Sequence, residues 1–425
     1  MKRILTIIAA ASLLGAGTAL AQPRMAPEAA KWLREDNTRA GNNTNSYEFH
    51  TIKETPAPKG YKPFYVSHFS RHGSRSNWGG SSYELVIEKL TEAKAQGILT
   101  AGGDSLLSEA KRVLAAYDGM DGRLAPRGVR EHAQIAANLY NRYPKLFKGE
   151  NRIRAISSTV QRCILSMTGF TNELCRQNPK LEISVTAGEK IDEWLNNTGK
   201  HAFYPEADKL LSAYRRSLPQ TDTVYVMQRL FTDQAKAHKI VGNVSRFQGA
   251  IFSTASIAED FDIEENLYRF LPFDVIYNGW STGNRELYIK HCNSVEFGAE
   301  RVPEAAGLVA DIVKRADEAI AGAGYVADLR FGHDHPMLGL VSYLGIEGVG
   351  DRLSFDEIDD HWLGFFNIPM ASNLQLVFYR NKAGDVLVKF FYNEKEVKLR
   401  GLEPVTGPYY RWETVKANLE GWKRP

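Results

Sequence analysis

Cysteine is scarce in this chain of 425 residues: Cys163, Cys175 and Cys292 are all it has. Three thiols allow one disulfide at most, which excludes a small scaffold built on disulfides. Cys163 and Cys175 are twelve residues apart on one helical pattern, roughly 18 Å along the axis, too far to pair. Long apolar runs are also scarce. The stretch from Ile4 to about Leu14 falls short of the ~20 residues of a membrane span. With Lys2 and Arg3 before it and Ala19-Leu20-Ala21 after it, it reads as a secretory signal peptide over residues 1–21, with cleavage before Gln22. The residue directly after that point is Gln22 and not cysteine, so no lipid anchor is expected, and the chain is expected in the periplasm or secreted. Net charge is small too. The whole chain carries +3, and loss of Lys2 and Arg3 with the leader leaves +1. Near-neutrality argues against a nucleic-acid or anionic-membrane surface, so no nucleic-acid partner is expected, and the short apolar run gives no transmembrane segment. Any anionic ligand must be drawn by a local cluster.

The hydrophobic fraction, 43%, is ample for a packed core, and the chain shows no internal repeat. Residues 22–60, with four prolines and "GNNTNS", read as a loosely structured lead-in with one short helix. An apolar strand over 64–69 is followed by helical spacing near 82–96 and 104–117, and by a helix from Pro126 to just before Pro144. A strand at 152–157 leads into "TVQRCILSMTGFTNELC", whose apolar positions keep one helical face. The alternation returns as helix 303–321, strand 325–331 and helix 336–344, and two strands joined through Asn381–Asp385 close the series. The pattern predicts an α/β fold: a three-layer sandwich with a central mixed sheet, plus a mainly helical cap inserted into it. Residues 22–187 and 301–425 form the core, with a helical excursion at about 77–120, and residues 188–300 form the cap.

Three predicted strands end in chemically loaded loops. "FYVSHFSRHGSRS" carries the first into Arg71, His72, Ser74 and Arg75; the second ends in Ser157-Ser158-Thr159 with Arg162 beyond; the third ends in His333-Asp334-His335. Ligands of open α/β sheets gather at the carboxyl ends of the strands, so strands lying side by side would pool these residues in one pocket. Guanidinium forks match phosphate oxygens, and Arg162 adds a helix N-terminus. A neutral histidine beside bound phosphorus can attack in line if its far nitrogen is held by an acceptor, and neighbouring arginines keep it neutral. Asp334 is the carboxylate of the three loops and is suited to protonate the leaving oxygen, then to serve as base for water. An acidic optimum near about pH 4 to 6 is expected, because Asp334 must start protonated.

Each residue has a plainer reading. His68 reads as a core histidine, and His132, His201 and His291 as surface, capping or pocket-lining residues. Arg162 alone is a helix-surface arginine, and Asp334 alone an N-cap for helix 336–344. His335, directly after the proposed acid, is a possible site residue. The tryptophans and tyrosines at Trp194, Tyr204, Tyr277 and Trp280 read as core. What favours function is R-H-G-x-R after one strand together with H-D after another. His333, His335, His68 and His72 can also be read as metal ligands, but too few carboxylates lie nearby for a two-metal site and the arginines would repel a divalent cation. A non-catalytic binder of phosphorylated ligands is the alternative of another class, though it needs neither nucleophile nor proton donor.

These residues resemble the histidine acid phosphatases, the clade-two branch of the histidine phosphatase superfamily, which includes phytases and multiple inositol polyphosphate phosphatases. "SRHGSR" and "GHD" carry the resemblance, with "RLAPRGVREH" and "ISSTVQRCILSMTGF" between them, over roughly residues 61–345. By resemblance, His72 becomes phosphohistidine, Arg71, Arg75, Arg162 and His333 hold the phosphoryl group, and Asp334 donates the proton. The implied activity is a metal-independent phosphomonoesterase with no cofactor and a small phosphate ester as its partner. "GYKPFYVSHFSRHGSR" leans toward the inositol polyphosphate branch, with a broad-specificity acid sugar phosphatase as the alternative. That branch usually carries H-A-E where this chain has His333-Asp334-His335, so the acid is assigned to Asp334 in the phytase manner.

Overall fold

A computed structural model describes residues 24–77, 81–197 and 201–421. Residues 1–21, read above as a signal peptide, lie outside the described residues. Eight strands form one sheet: β1 (Lys62–Arg71), β2 (Arg152–Ser157), β3 (Glu182–Ala187), β4 (Tyr325–Gly332), β5 (Asn373–Arg380), β6 (Val386–Tyr392), β7 (Lys395–Val397) and β8 (Tyr410–Arg411). Their order is β3-β2-β4-β1-β5-β6-β7, with β8 beside β6. The sheet is mixed, as expected. β3, β2, β4 and β1 run parallel, and β5 onward are antiparallel.

Parallel pairing puts three strand ends on one edge. Arg71 pairs with Gly332 across β1 and β4, and Ser157 with Phe331 across β2 and β4. Strand periodicity of two then divides the core. Tyr65 and Phe69 of β1 join one hydrophobic cluster with the helices Ala306–Ile320, Asp334–Leu344 and Trp412–Glu420, while Val66 joins another with the helices Pro126–Arg142 and Gln161–Gln177. Leu374 and Leu376 of β5 face the first cluster, and Val377 faces the second. Both faces are covered, which is why β1 reads as a near-continuous apolar run.

A third cluster contains no strand residues. It gathers Ala29 and Leu33 from the helix Pro27–Glu35, the helices Ser81–Ala95 and Ala101–Tyr117, and residues 226–280. The helix Phe273–His291 joins it to the sheet, with Tyr277 and Trp280 in the helical cluster and Leu287 and Tyr288 in the sheet's. Several elements depart from the sequence reading, among them the short strands β7 and β8 and the helix Trp412–Glu420, none of which was expected. β3 was not expected, and it is an edge strand with most of its residues exposed. The lead-in carries a 3-10 segment, Asn37–Thr44, that reaches the strand ends.

No helix among the described residues is long and apolar enough to cross a membrane. The three cysteines are free thiols.

Candidate active site

Beyond β1 the chain is pinned on both sides by backbone bonds. Arg71 N–H donates to Ser372 O at 3.0 Å, His72 N–H to Gly332 O at 2.9 Å, and Ala371 N–H to His72 O at 2.9 Å. Gly73 then meets the start of the helix Pro126–Arg142 backbone to backbone. A Cβ on Gly73 would lie 2.6 Å from Gly128 Cα, and one on Gly128 would lie 2.4 Å from Ser74 O. One helical turn later, the Glu131 carboxylate accepts Ser74 N–H and Ser74 Oγ–H, each at 2.7 Å, and Tyr47 N–H at 3.1 Å.

His72 is buried, and its Nδ1 lies 3.0 Å from Gly73 O. A carbonyl only accepts, so Nδ1 carries the hydrogen and Nε2 keeps its lone pair. Burial, then Arg71, Arg162 and Arg75, hold the imidazole well below its ordinary pKa, so it is neutral. Arg71 is fully buried, with Nη1 donating to Asn43 O at 2.8 Å and Ile368 O at 2.7 Å. Arg75 donates from Nη1 to Ser76 O at 2.7 Å. Arg162, in the first turn of the helix Gln161–Gln177, donates from Nη2 to His333 Nδ1 at 3.2 Å, and burial pulls its pKa down to about 10. Guanidinium cannot accept, so His333 bears its hydrogen on Nε2, facing Ser158 Oγ at 3.2 Å. The His72 and His333 rings stand edge to face, with centroids 5.5 Å apart.

Asp334 sits opposite Arg71. Its Oδ2 accepts from Asn43 Nδ2 at 2.8 Å and stands 3.1 Å from Arg71 Nη2. Three guanidiniums against this one carboxylate leave the buried group with a net charge of about +2. Unbalanced buried charge is costly unless a counter-ion meets it, and the fitting counter-ion is a phosphoryl dianion.

A family model for the histidine phosphatase superfamily, branch 2, matches residues 65–393. The chain belongs to that family. The resemblance read from its two motifs is thereby borne out, and membership brings the enzyme class, a histidine acid phosphatase. The multiple inositol polyphosphate phosphatase of Bifidobacterium longum, in its apo form, superposes with a TM-score of 0.71 at 18% identity, covering 90% of this chain and 97% of that one. The phytase of D. castellii gives 0.68 at 12% identity, covering 91% and 86%, and the phytase of Citrobacter braakii gives 0.53 at 13%, covering 84% and 97%. At these identities the likeness is one of fold. No curated protein matches the chain in sequence.

For this branch-2 phosphatase the structure revises several sequence expectations. Asp334 is not an N-cap: His333 holds that position, and Asp334 is the first residue of the helix Asp334–Leu344. Nor does Asp334 start protonated in the free site. Burial pushes its pKa up, but Arg71, His335, His72 and Asn43 outweigh burial and hold the carboxyl well below its usual range. The Ser74 hydroxyl, a possible site group by sequence, is committed to Glu131, with Ser46 Oγ at 3.1 Å. His132 is fully buried beside His68, its ring edge-on to Phe331, rather than on a surface. His68 packs on Phe170 and Phe331. His335 Nε2 lies 3.4 Å from Asp334 Oδ1. Tyr277 and Trp280 are core, and Trp194 and Tyr204 are half-buried. No group of three or more His, Cys, Asp or Glu among the described residues is arranged to hold a metal ion. Two contributors escaped the sequence reading. Glu131 holds the loop, and Asn43 binds both Asp334 and Arg71 from nearly 300 residues upstream of the acid.

Proposed function

We propose that this protein is a metal-independent phosphomonoesterase that works through a phosphohistidine at His72 and hydrolyses phytate or other inositol polyphosphates. The observation that carries the reading is the His72 ring. Its Nδ1–H is tied to Gly73 O at 3.0 Å, it is held neutral, and it is buried beside three arginines. Arg71, Arg75, Arg162 and His333 receive the phosphoryl oxygens, and Nε2 attacks phosphorus in line with the departing alkoxide. Asp334 protonates that alkoxide and then takes the proton of the water that cleaves the phosphohistidine.

A site of net positive charge in a chain with little overall charge suits a highly charged substrate drawn by a local field. The Bifidobacterium longum relative in complex with inositol hexasulfate, TM-score 0.68, supports a polyanionic inositol ring as the ligand class. Export to the periplasm or medium is part of the proposal, supported by Lys2, Arg3 and the apolar run before Ala21.

The test is phosphate release from phytate, p-nitrophenyl phosphate and glucose 1-phosphate at about pH 5 in excess EDTA, for wild type and His72→Ala. Wild type is expected to cleave phytate best and the variant to be inactive on all three. Preference for the small esters would replace the substrate assignment with a broad acid phosphatase. Turnover by His72→Ala, or loss of activity in EDTA, would overturn the mechanism.

A further inference from the structure

One oxygen of Asp334 is closed to a proton. Oδ2 faces two donors, Asn43 Nδ2 at 2.8 Å and Arg71 Nη2 at 3.1 Å. Oδ1 accepts only the His335 backbone N–H, at 3.0 Å, among the hydrogen bonds of the described residues, and it stands 3.4 Å from His335 Nε2. His335 is held twice, once at its ring and once at its backbone. It lies flat on the His291 ring, with centroids 4.0 Å apart and planes 11° apart, and its backbone carbonyl accepts from Arg301 Nη2 at 2.8 Å. His291 closes the helix Phe273–His291, is buried, and has no hydrogen-bond partner at Nδ1 among the described residues. His335 itself keeps a third of its side chain exposed on the open side.

We propose that His335 is a positioning residue of the acid: it and Asp334 share one proton along the line from Oδ1 to Nε2, and the His291 ring keeps that line straight. The proposal rests on the phosphohistidine reading above. As His72 Nε2 bonds to phosphorus, the bond from phosphorus to the leaving oxygen breaks, and the shared proton passes from Oδ1 to that oxygen. Water then attacks the phosphohistidine, the phosphorus–nitrogen bond breaks, phosphate departs, and the water's proton returns to the pair.

The surroundings set where the pair titrates. Burial, Arg301, Arg71 and His201 hold the His335 pKa down while Asp334 draws a proton toward it, and His333 lies within electrostatic range. His201 is itself bonded to Glu304 at 2.6 Å, and Arg301 is paired with the same Glu304. His291, beside Arg301 and Lys290, is held neutral by burial, so the ring stacked under His335 does not compete for the shared proton. The pair takes its proton on the acid side of neutrality, and a phosphoryl dianion bound alongside strengthens its hold.

The test compares pH profiles of kcat/KM for glycerol 2-phosphate, whose alkoxide needs a proton, and p-nitrophenyl phosphate, whose phenolate barely does. His335→Gln is expected to lose about 100-fold on the first ester and at least about tenfold less on the second, with its alkaline limb moved to lower pH. Turnover of p-nitrophenyl phosphate by the same sample reports that the variant is folded and that His72 still reacts. His335→Ala is expected to recover part of the lost activity in added imidazole, and His291→Phe, which keeps a flat ring under His335, to stay near wild type while His291→Ala does not. Equal losses of His335→Gln on both esters, or an unchanged pH profile, would overturn the proposal. Turnover by His72→Ala would instead overturn the reading beneath it.

Discussion

In the proposed mechanism the Asp334 carboxyl, which Arg71 holds ionised in the free site, has to carry a proton when an alkoxide leaves. The two requirements are met in sequence. The free pocket needs the carboxylate to balance part of the arginine charge, and an incoming phosphoryl dianion takes over that balance, which raises the proton affinity of the carboxyl beside it. Asp334→Asn is therefore expected to slow glycerol 2-phosphate by about 10²- to 10⁴-fold and p-nitrophenyl phosphate far less, as measured by kcat/KM on the two esters. Equal losses would remove Asp334 from the acid role. Arg162 offers a different check, because it contacts His333 and adds charge to the pocket. Arg162→Ala should raise the Kd for inorganic phosphate by at least about tenfold, the loss of one charge-assisted hydrogen-bond partner, read by calorimetry. Most of these side chains were legible in the sequence because each loop announces itself within a few residues of a strand end. Asn43 was not. Its contact with Asp334 bridges 291 residues, and no local pattern encodes a contact of that range.

The elements explain why the loop after β1 holds its shape. Gly73 and Gly128 let loop and helix approach at a distance no side chain permits, and Glu131, one turn further, anchors Ser74. Gly128→Ala would drive a methyl to 2.4 Å from Ser74 O, so either the helix or the phosphate loop must move. A misplacement of about 1 Å is enough for roughly 100-fold in kcat, with much less effect on the far side of the sheet. Glu131→Gln leaves the packing volume intact but turns one acceptor into a donor facing a donor, and about 1 to 3 kcal/mol of stability should go with it in urea unfolding. If Gly128→Ala keeps wild-type kcat, the loop is not set by this contact. The strand and helix pattern was mostly readable from sequence: β2 falls at its expected residues, and β1 extends two residues beyond the expected run at each end. β3 was missed because an edge strand with little buried surface carries little apolar signal. The helical layer was harder still, since its cluster joins residues 26–40, 83–117 and 226–280, which only the folded chain brings together.

Across the whole molecule, buried titratable groups pull stability in two directions with pH. Burial lowers the pKa of His68, His72, His132, His291 and His333, so the unfolded chain binds their protons first as pH falls. Their contribution is present above the unfolded histidine pKa, about 6.5, and is lost as pH drops below it. Burial raises the pKa of Glu131, Glu259, Asp260, Asp359 and Glu394, and these act with the opposite sign, their contribution being lost as pH rises from the unfolded carboxyl range through the raised folded values. The net slope of the wild type therefore mixes both sets, and a single histidine has to be isolated to read either. His132 is the one to choose. It is fully buried, no phosphate-binding role is assigned to it, and burial takes its pKa down to about 3 against a smaller opposing pull from the Arg71 backbone. Between pH 7 and pH 5 it spends about 1.5 units below the unfolded value at about 1.4 kcal/mol per unit, so its share of the acid loss is about 2 kcal/mol. In His132→Gln, which cannot titrate, the difference in unfolding free energy between the two pH values should shift by that amount in favour of pH 5, whatever the substitution does to stability at pH 7. Urea unfolding of both proteins at both pH values measures it. A variant with the wild-type pH dependence would mean that the His132 ring takes up its proton as readily inside the fold as outside, the Arg71 backbone beside it offsetting the cost of burial.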